Sequence, residues 1–337
     1  MDVIKPDLLW IGSRCYRVNQ TVNTASLGGS QLPEKYVEHD AYDDDCVADE
    51  ENYQIECTNG RYLTAFHVPS QLFGVIVGAK GATRRRIETE TSTKIEIPKQ
   101  GQDGDIKITS NNAKSVSAAR RRIEIIVIGA RMKMDFTHFL SVPMVEPEIQ
   151  ETFLDFKTKV LGDNEIYGIT EKYFQNPHRL HITIVLLTLL DNADRALAAQ
   201  YLRECEETIV SQFKGLELQM KGLEIMNDDP SAVNVLFAAI ESEAMQAMSD
   251  QLHEYFCNKG LMQRKNDHVK LHVTLMNTKF LKNQEENSRV EAFDATKILQ
   301  KYGNFNFGRV KVKEIHLSQR HTSGTVGYYE ASCIIKV

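Results

Sequence analysis

Two short segments of the chain repeat one arrangement of side chains that can do acid–base chemistry. Residues 179–184 read RLHITI and residues 270–275 read KLHVTL, so a basic residue, a histidine and a threonine recur at the same spacing. In a β-strand, residues two apart share a face, which places these groups of each segment in one row. The candidate site residues are Arg179, His181, Thr183, Lys270, His272 and Thr274.

A pair of imidazoles facing one ligand is suited to hydrolysis of a phosphodiester. Near neutral pH a neutral histidine can remove a proton from the attacking hydroxyl or water, while a protonated histidine gives a proton to the leaving oxygen. The threonine hydroxyls can donate to the non-bridging oxygens, and the two basic side chains add positive field. This chemistry needs no metal or cofactor, and the sequence has no HxH or HExxH metal motif. The remaining histidines are expected to be structural or on the surface, and His316 is the best candidate among them to line the same groove.

A second candidate site lies earlier in the chain, where residues 78–81 read GAKG. Glycines allow the backbone to approach a ligand closely, and N–H groups at the start of the following helix attract phosphate. Three arginines follow, for which a solvated helix face is the alternative. The preceding apolar residues 75–77 are the expected floor for bases. The candidate RNA-binding residues here are Gly78, Ala79, Lys80, Gly81, Arg84, Arg85 and Arg86.

The charge distribution singles out the region around this motif. The net charge of −6 combines −8 in residues 1–60, +8 in residues 61–134 and −6 in residues 135–337. A basic block inside an acidic protein indicates polyanion binding. A second run of arginines within it, Arg120–Arg122, is expected to be a solvated helix face.

The overall composition is that of a soluble globular protein. Its 337 residues are 42% hydrophobic, which allows two or three domains. Six scattered cysteines without a CxxC pair indicate a reducing compartment. The most apolar stretch, residues 182–190, is too short to cross a bilayer, so we expect no membrane partner.

The segments that must position the candidate residues fall into two domains behind a leader. Residues 1–60 are acidic, and we expect a mostly flexible leader with two extended runs in residues 8–18. Residues 61–134 follow the order strand, helix, helix, strand, strand, helix. Residues 135–337 form two similar units of strands and helices, each with one His-x-Thr strand. We therefore predict an α+β protein whose C-terminal domain has two lobes and is coupled rigidly to the basic domain, since no Gly/Ser linker separates them.

Both domains resemble known families. The β-α-α-β-β-α order with GAKG between its first two helices is similar to a type I KH domain, which implies that residues 78–81 clamp single-stranded nucleic acid. The two H-x-T-aliphatic strands in a bilobal α+β domain resemble the two-histidine phosphoesterases, which include 2′,3′-cyclic nucleotide phosphodiesterases and RNA 3′-end-processing enzymes. That resemblance implies four catalytic residues: His181, Thr183, His272 and Thr274.

The combination of these two domains behind an acidic leader is similar to one family of subunits of a nuclear complex. This resemblance implies a large nucleic-acid helicase subunit as partner, with roles in transcription coactivation and alkylation-damage repair. It also implies a nuclear location, with the cytoplasm as a second location.

Two functions of different classes remain open on the sequence. The first is an RNA-processing enzyme that holds single-stranded RNA, or single-stranded DNA as the second candidate, and hydrolyses RNA ends or 2′,3′-cyclic phosphates without a metal. The second is a non-catalytic RNA-binding scaffold whose groove holds a nucleotide or phosphate without turnover. A lone histidine on a half-buried strand is usually structural. The repetition favours the enzyme, because binding alone would not require both imidazoles.

Overall fold

The architecture comes from a computed structural model, which describes residues 8–11, 14–17, 53–99, 102, 104–262, 269–283 and 292–337. Near the N-terminus, β1 (Leu8–Ile11) and β2 (Arg14–Arg17) form an antiparallel hairpin. These are the two extended runs expected in residues 8–18. The other residues of the predicted leader up to position 52 lie outside the described residues.

The N-terminal domain has a four-stranded antiparallel sheet and three helices. Its elements are β3 (Glu56–Thr58), β4 (Arg61–His67), α1 (Phe73–Val77), α2 (Ala82–Thr91), β5 (Lys94–Glu96), β6 (Asp105–Ser110) and α3 (Ala113–Arg131). The sheet order is β3-β4-β6-β5, and the last six elements follow the predicted β-α-α-β-β-α order. Strand β3 departs from the prediction, because it lies within the expected leader and pairs with β4. The sheet therefore begins before residue 61.

Alternating apolar residues build the core of this domain. Ile106 and Ile108 on β6 are two residues apart and both fully buried, as is Ile123 on α3. Helix α3 begins after Asn112, whose side chain accepts a hydrogen bond from the Lys114 N–H. The cap, the apolar face and the high helix propensity of the three arginines in its middle explain why this segment is helical.

The C-terminal domain is built on one eight-stranded sheet in which all described pairs are antiparallel. Its strand order is β12-β9-β10-β11-β8-β7-β13-β14. The elements are β7 (His138–Pro143), α4 (Pro147–Gly162), β8 (His181–Leu187), α5 (Asn192–Thr208), β9 (Glu217–Ile225), β10 (Val235–Ile240), α6 (Glu243–Asn258), β11 (His272–Asn277), α7 (Thr296–Tyr302), β12 (Asn306–Lys311), β13 (Glu314–Gln319) and β14 (Ala331–Lys336).

The two predicted lobes are the two halves of this sheet. One half ends in β11 and the other in β8, and the halves meet where these two strands pair. All four helices of the domain contribute side chains to one apolar core, so the lobes share a hydrophobic interior. None of the helices in the described part of the chain is long and apolar enough to cross a membrane.

The two domains are joined by direct contacts as well as by the chain. Arg131, at the end of α3, is buried and donates hydrogen bonds to both carboxylate oxygens of Asp194, at 2.6 and 3.2 Å. It also donates to the Thr188 carbonyl. His67 Nε2 lies 2.7 Å from an Asp191 carboxylate oxygen. A buried bidentate pair is lost if the domains separate, which agrees with the predicted rigid coupling.

Candidate active site and nucleic-acid interface

The two His-x-Thr strands are neighbours in the sheet. Strands β8 and β11 run antiparallel, and Ile182 pairs with Val273. Both of these side chains are fully buried on the core side. The other aliphatic residues predicted to face the core are buried with them, namely Leu180, Ile184, Leu271 and Leu275.

This register brings the four predicted polar residues together. Because the strands are antiparallel, the residue before Ile182 faces the residue after Val273, so His181 stands opposite Thr274. On the other side of that pair, Thr183 stands opposite His272. All four side chains are half-buried on the face away from the core. We call this patch the His-Thr site. Its halves come from neighbouring strands of one sheet, not from separate lobes facing each other across a groove.

A β-bulge follows each threonine. Ile184 on β8 has no partner on β7, because Ser141 pairs with Thr183 and the preceding Leu140 pairs with Val185. Strand β10 skips Leu275 in the same way after Thr274. A bulge reverses the alternation of faces beyond it. Leu186 is consequently exposed on β8, although an unbroken alternation from Thr183 would bury it.

Each imidazole is held by the backbone of its own strand. His181 Nδ1 lies 2.7 Å from the carbonyl oxygen of Arg179, and His272 Nδ1 lies 2.8 Å from that of Lys270. A carbonyl oxygen only accepts, so the proton of the neutral ring is on Nδ1 in both cases. Each Nε2 therefore has a free lone pair, the state required of a general base.

Burial keeps both rings neutral near pH 7. Burial lowers the pKa of His181 to about 4, the hydrogen bond to the Arg179 carbonyl opposes this, and the nearby His272 lowers it further. Burial also lowers the pKa of His272, again against a backbone hydrogen bond. The effect of His272 on His181 shows that the two imidazoles are electrostatically coupled across the site.

An aromatic cluster surrounds His181. Its ring centroid lies 5.2 Å from Phe139, 5.4 Å from Tyr329 and 6.4 Å from Tyr328. The His272 ring has Phe237 as an aromatic neighbour, with the two centroids 5.3 Å apart. These aromatic residues could not be recognised from the sequence, because they come from distant strands and loops and match no motif.

A hydroxyl network lies beside Thr183. Ser141, its partner on β7, is fully buried and lies 3.0 Å from Ser318 Oγ, and Tyr328 donates a hydrogen bond to it at 2.9 Å. His316 is the cross-strand partner of Ser141 and so shares the same face. Its Nε2 lies 3.0 Å from Glu314, which ties the ring to its own strand.

The two predicted basic residues have different surroundings. Arg179 donates to the Thr322 carbonyl at 2.9 Å and stacks on the Tyr329 ring at 4.9 Å. Its guanidinium therefore holds the 322–329 segment. Lys270 is exposed, with Nζ 4.8 Å from the Phe237 ring centroid and 3.9 Å from a Glu224 carboxylate oxygen. Lys270 is the better placed of the two to meet an incoming anion.

The GAKG loop has a backbone that only glycine allows at its first position. Gly78 has a φ of +69°, and a Cβ there would overlap Thr83 Oγ1 and lie 2.9 Å from its backbone nitrogen. Gly81 has a φ of +79° but open space around the missing Cβ. Ala79 and Lys80 are exposed at the tip, and α2 begins directly after the loop. The loop thus presents backbone and one ammonium group to solvent.

The arginines after the loop are not equivalent. Arg85 and Arg86 are exposed, whereas Arg84 is half-buried with Nε 3.8 Å from a Glu88 carboxylate oxygen. Of the predicted apolar floor, Val75 is 42% exposed and available to a base. Ile76 is fully buried in the domain core, which corrects its assignment to the floor. Its position in α1 turns it toward the sheet.

The run at Arg120–Arg122 is also corrected in part. The Arg120 guanidinium lies 4.3 Å from the Tyr53 ring centroid and 4.6 Å from that of Phe66. It also donates to Glu124 at 3.0 Å. Arg120 therefore ties the segment before β3 to the domain and is not a solvated side chain.

Two family models match the chain, and together they span both domains. The model of the KH domain matches residues 64–125, and that of the AKAP7 2′5′ RNA ligase-like domain matches residues 136–337. The activating signal cointegrator 1 complex subunit 1 of Mus musculus is 35% identical over 356 residues, which cover 99% of this chain and 98% of that protein. The chain belongs to the family of this subunit. The predicted resemblance and the predicted order of a KH domain before a two-histidine phosphoesterase-like domain are thereby confirmed.

Solved structures of single domains are similar to parts of the chain. The first type I KH domain of human vigilin covers 25% of this chain and 89% of its own, with 20% identity and a TM-score of 0.21. Escherichia coli LigT, in a complex with NADP+, covers 60% of this chain and 96% of its own, with 12% identity and a TM-score of 0.34.

Proposed function

We propose that this protein binds single-stranded RNA through its KH domain and hydrolyses phosphodiester bonds at RNA ends or in 2′,3′-cyclic phosphates, without a metal. The observation that carries the proposal is the matched presentation of two Nε2 atoms on neighbouring strands, each beside a threonine. The residues proposed to act are His181, Thr183, His272 and Thr274. In the KH domain, Gly78–Gly81 and the exposed Arg85 and Arg86 hold the RNA backbone, with single-stranded DNA as a second ligand.

With a 2′,3′-cyclic phosphate, the reaction is attack of water on phosphorus. One neutral imidazole takes a proton from the water as the new P–O bond forms. The other, protonated imidazole gives a proton to a ribose oxygen as its P–O bond breaks. The threonine hydroxyls donate to the non-bridging oxygens, where negative charge develops. The product is a phosphomonoester beside one free ribose hydroxyl.

The bound phosphate supplies the condition for this proton transfer. Both imidazoles have a lowered pKa in the free protein. A phosphate anion placed between them favours the charged form and raises the pKa of the ring that it contacts. Substrate binding therefore favours protonation of the imidazole that acts as the general acid.

The proposal is tested with short oligoribonucleotides that end in a 2′,3′-cyclic phosphate or a 3′-hydroxyl, incubated with the full chain in EDTA. Product is expected with the wild type, and its loss is expected with His181→Ala and with His272→Ala while RNA affinity stays unchanged. Complete dependence of turnover on an added metal ion would contradict the metal-independent mechanism. Turnover equal to that of the wild type in either alanine variant would show that the two imidazoles do not act together in the reaction.

The second candidate is a non-catalytic RNA-binding scaffold whose His-Thr site holds a nucleotide or phosphate. The observation that favours it is the lowered pKa of both rings, which leaves the free protein without a protonated acid near pH 7. This candidate predicts phosphate or nucleotide binding at the site with no product from any RNA end.

We also propose that the protein acts as a subunit of a nuclear complex, in transcription coactivation and alkylation-damage repair, with a helicase subunit as partner and the cytoplasm as a second location. The support is the 35% identity over almost the whole length to a relative whose name describes a subunit of the activating signal cointegrator 1 complex. The tagged chain should co-purify with a helicase subunit from nuclear extract. Recovery of the protein without such a partner, or from cytoplasm alone, would contradict this assignment.

A further inference from the structure

A cavity of about 340 Å³ opens at one end of the His-Thr site. Thr183 and His272 line it at that end, and Lys270 stands beside them. The walls come from both domains. They include Ile128 and Met132 near the end of α3, Leu186 on β8 and Leu261 after α6.

The cavity continues the His-Thr site because of how β8 and β11 are paired. Thr183 and His272 face each other at one end of the site, as set by the Ile182–Val273 pair. The bulge at Ile184 then turns Leu186 to the same side as Thr183, and Leu186 lines the cavity. A ligand whose phosphate lies between the two imidazoles therefore has its next group at the mouth of the cavity.

The chemistry of the walls fits a flat heterocycle. About half of the lining residues are aliphatic or carry a thioether, and polar or charged groups such as Asp135, Thr188 and His253 lie between them. Binding pockets for small molecules have this composition, with apolar walls for area and a few polar groups for orientation. A nucleobase meets both conditions, because it has two apolar faces and a polar edge.

The KH domain is needed to complete these walls. The turn that follows α6 lies against α3, since a Cβ at Gly260 would be 3.5 Å from Ile128 Cδ1. Arg131, another lining residue, is fastened to Asp194 by the buried pair described above. The last turn of α3 and the residue after it therefore form one side of a pocket whose opposite side belongs to the phosphoesterase domain.

We propose that this interdomain cavity binds the nucleobase adjacent to the phosphate held in the His-Thr site, so that the KH helix α3 takes part in substrate recognition by the other domain. This inference rests on the proposed function and deepens it. The ligand class is a nucleotide with its base attached, and a sugar phosphate lacks the group that the cavity takes.

The test uses the full chain and calorimetric titration with three probes: adenosine 3′-monophosphate, uridine 3′-monophosphate and ribose 5-phosphate. At least one nucleotide should bind about tenfold more tightly than the sugar phosphate, within the range that a stacked base contributes. Met132→Trp fills the cavity and should remove that difference, while the affinity for ribose 5-phosphate stays unchanged. Met132 is 41% exposed, so the larger ring has room to fold into the pocket.

The matched control is Ile125→Trp, on the same helix, 44% exposed and outside the cavity lining. It should keep the full preference for the nucleotide. Leu186→Trp, which fills the cavity from the β8 side at 39% exposure, is a second variant in case Met132→Trp unfolds. Thermal melting shows which variants are folded.

The inference is overturned if the wild type binds ribose 5-phosphate as tightly as both nucleotides, or binds none of the three. It is also overturned if both folded cavity variants keep the nucleotide preference. Failure of the proposed hydrolysis gives a distinct result. The wild type would still prefer the nucleotide and the cavity variants would still lack that preference, but no RNA end would be converted to product.

Discussion

Ile182 of β8 and Val273 of β11 form the cross-strand pair that joins the two halves of the eight-stranded sheet. Their side chains are fully buried on one face of the sheet. On the opposite face the same pair sets the positions of His181 and His272, one on each strand. The spacing of the proposed acid and base is thus determined by the backbone pairing of two core residues.

Replacing either threonine of the His-Thr site should slow the proposed hydrolysis and leave the fold intact. Thr183→Val and Thr274→Val keep the branched shape but remove a donor to the non-bridging oxygens. Loss of one such donor lowers kcat by roughly 10²-fold. The measurement is kcat on a 2′,3′-cyclic phosphate substrate. Thr109→Val, on strand β6 of the other domain, is the control and should keep wild-type kcat; unchanged kcat in both site variants would contradict the role of the hydroxyls.

The pH profile of kcat/KM should peak below pH 6.5. One histidine must be neutral and the other protonated, and kcat/KM reports the pKa values of the free enzyme. Because burial lowers the pKa of His181 to about 4 and also lowers that of His272, the window in which one ring is protonated lies on the acid side of 6.5. Rates measured from pH 4 to 8 check this. An optimum above pH 7 would show that the rings are not the titrating groups.

His138 should make the fold sensitive to acid. Burial lowers the pKa of His138 to about 4, with a smaller effect of Arg195, and its Nε2 is buried without a hydrogen-bond partner. Between pH 6.5 and 4 the unfolded chain binds a proton that the folded chain does not, so the free energy of unfolding decreases as pH falls. The expected contribution of His138 is about 3 kcal/mol.

Urea unfolding at pH 7 and pH 4.5 measures this effect. His138→Phe removes the titrating group, so it should lose less stability between the two pH values than the wild type. The exposed His321 provides the control, and His321→Asn should keep the wild-type dependence because asparagine tolerates its φ of +67°. An identical pH dependence in His138→Phe and wild type would contradict the prediction.

Alanine at the two glycines of the loop should have unequal effects on RNA binding. Gly78→Ala introduces a Cβ that overlaps Thr83, so the loop must move and affinity for single-stranded RNA should drop by at least about tenfold. Gly81→Ala meets only the strain of its positive φ, since the new Cβ would lie 3.9 Å from the nearest atom, Arg85 Nε. Fluorescence anisotropy with a labelled oligoribonucleotide measures both. Equal affinities of the two variants would contradict this geometry.

Removing only one charge of the interdomain Arg131–Asp194 ion pair should lower the free energy of unfolding more than removing both charges. Arg131→Met leaves the Asp194 carboxylate buried and unpaired, which should lower the free energy of unfolding by about 3–5 kcal/mol. In the double variant with Asp194→Asn, a large part of the lost free energy of unfolding should return, because the amide oxygen still accepts from the Leu190 N–H. Urea unfolding of the two variants measures the difference.

An exposed ion pair provides the comparison for this prediction. Lys159→Met breaks the pair with Asp155, in which both side chains are about half exposed, and should cost less than about 1 kcal/mol. Equal losses from Arg131→Met and Lys159→Met would show that the interdomain pair contributes no more than a surface contact.

Regular alternation made much of the fold and the site predictable from the sequence. His181 and Thr183 are two apart on a strand, and so are His272 and Thr274, so their common face follows from strand geometry alone. The element order of the KH domain follows in the same way from apolar periodicity and turn residues. These features depend on near neighbours in the chain, which a sequence displays directly.

The features that could not be predicted depend on contacts between distant segments. The stretch Ile184–Leu187 is wholly apolar, so nothing in it reveals the bulge that turns Leu186 toward solvent. Strand β3 lies in a polar segment and is recognised only by its pairing with β4. Arg179 donates a hydrogen bond to the carbonyl of Thr322, which lies 143 residues later in the sequence.

Each imidazole of the His-Thr site takes its Nδ1 acceptor from the carbonyl two residues earlier on its own strand. The tautomer of one ring is consequently independent of the other half of the protein. A substitution in either strand that preserves the backbone leaves its counterpart ready to accept a proton. The two strands can therefore vary separately in sequence without changing the tautomer of the opposite ring.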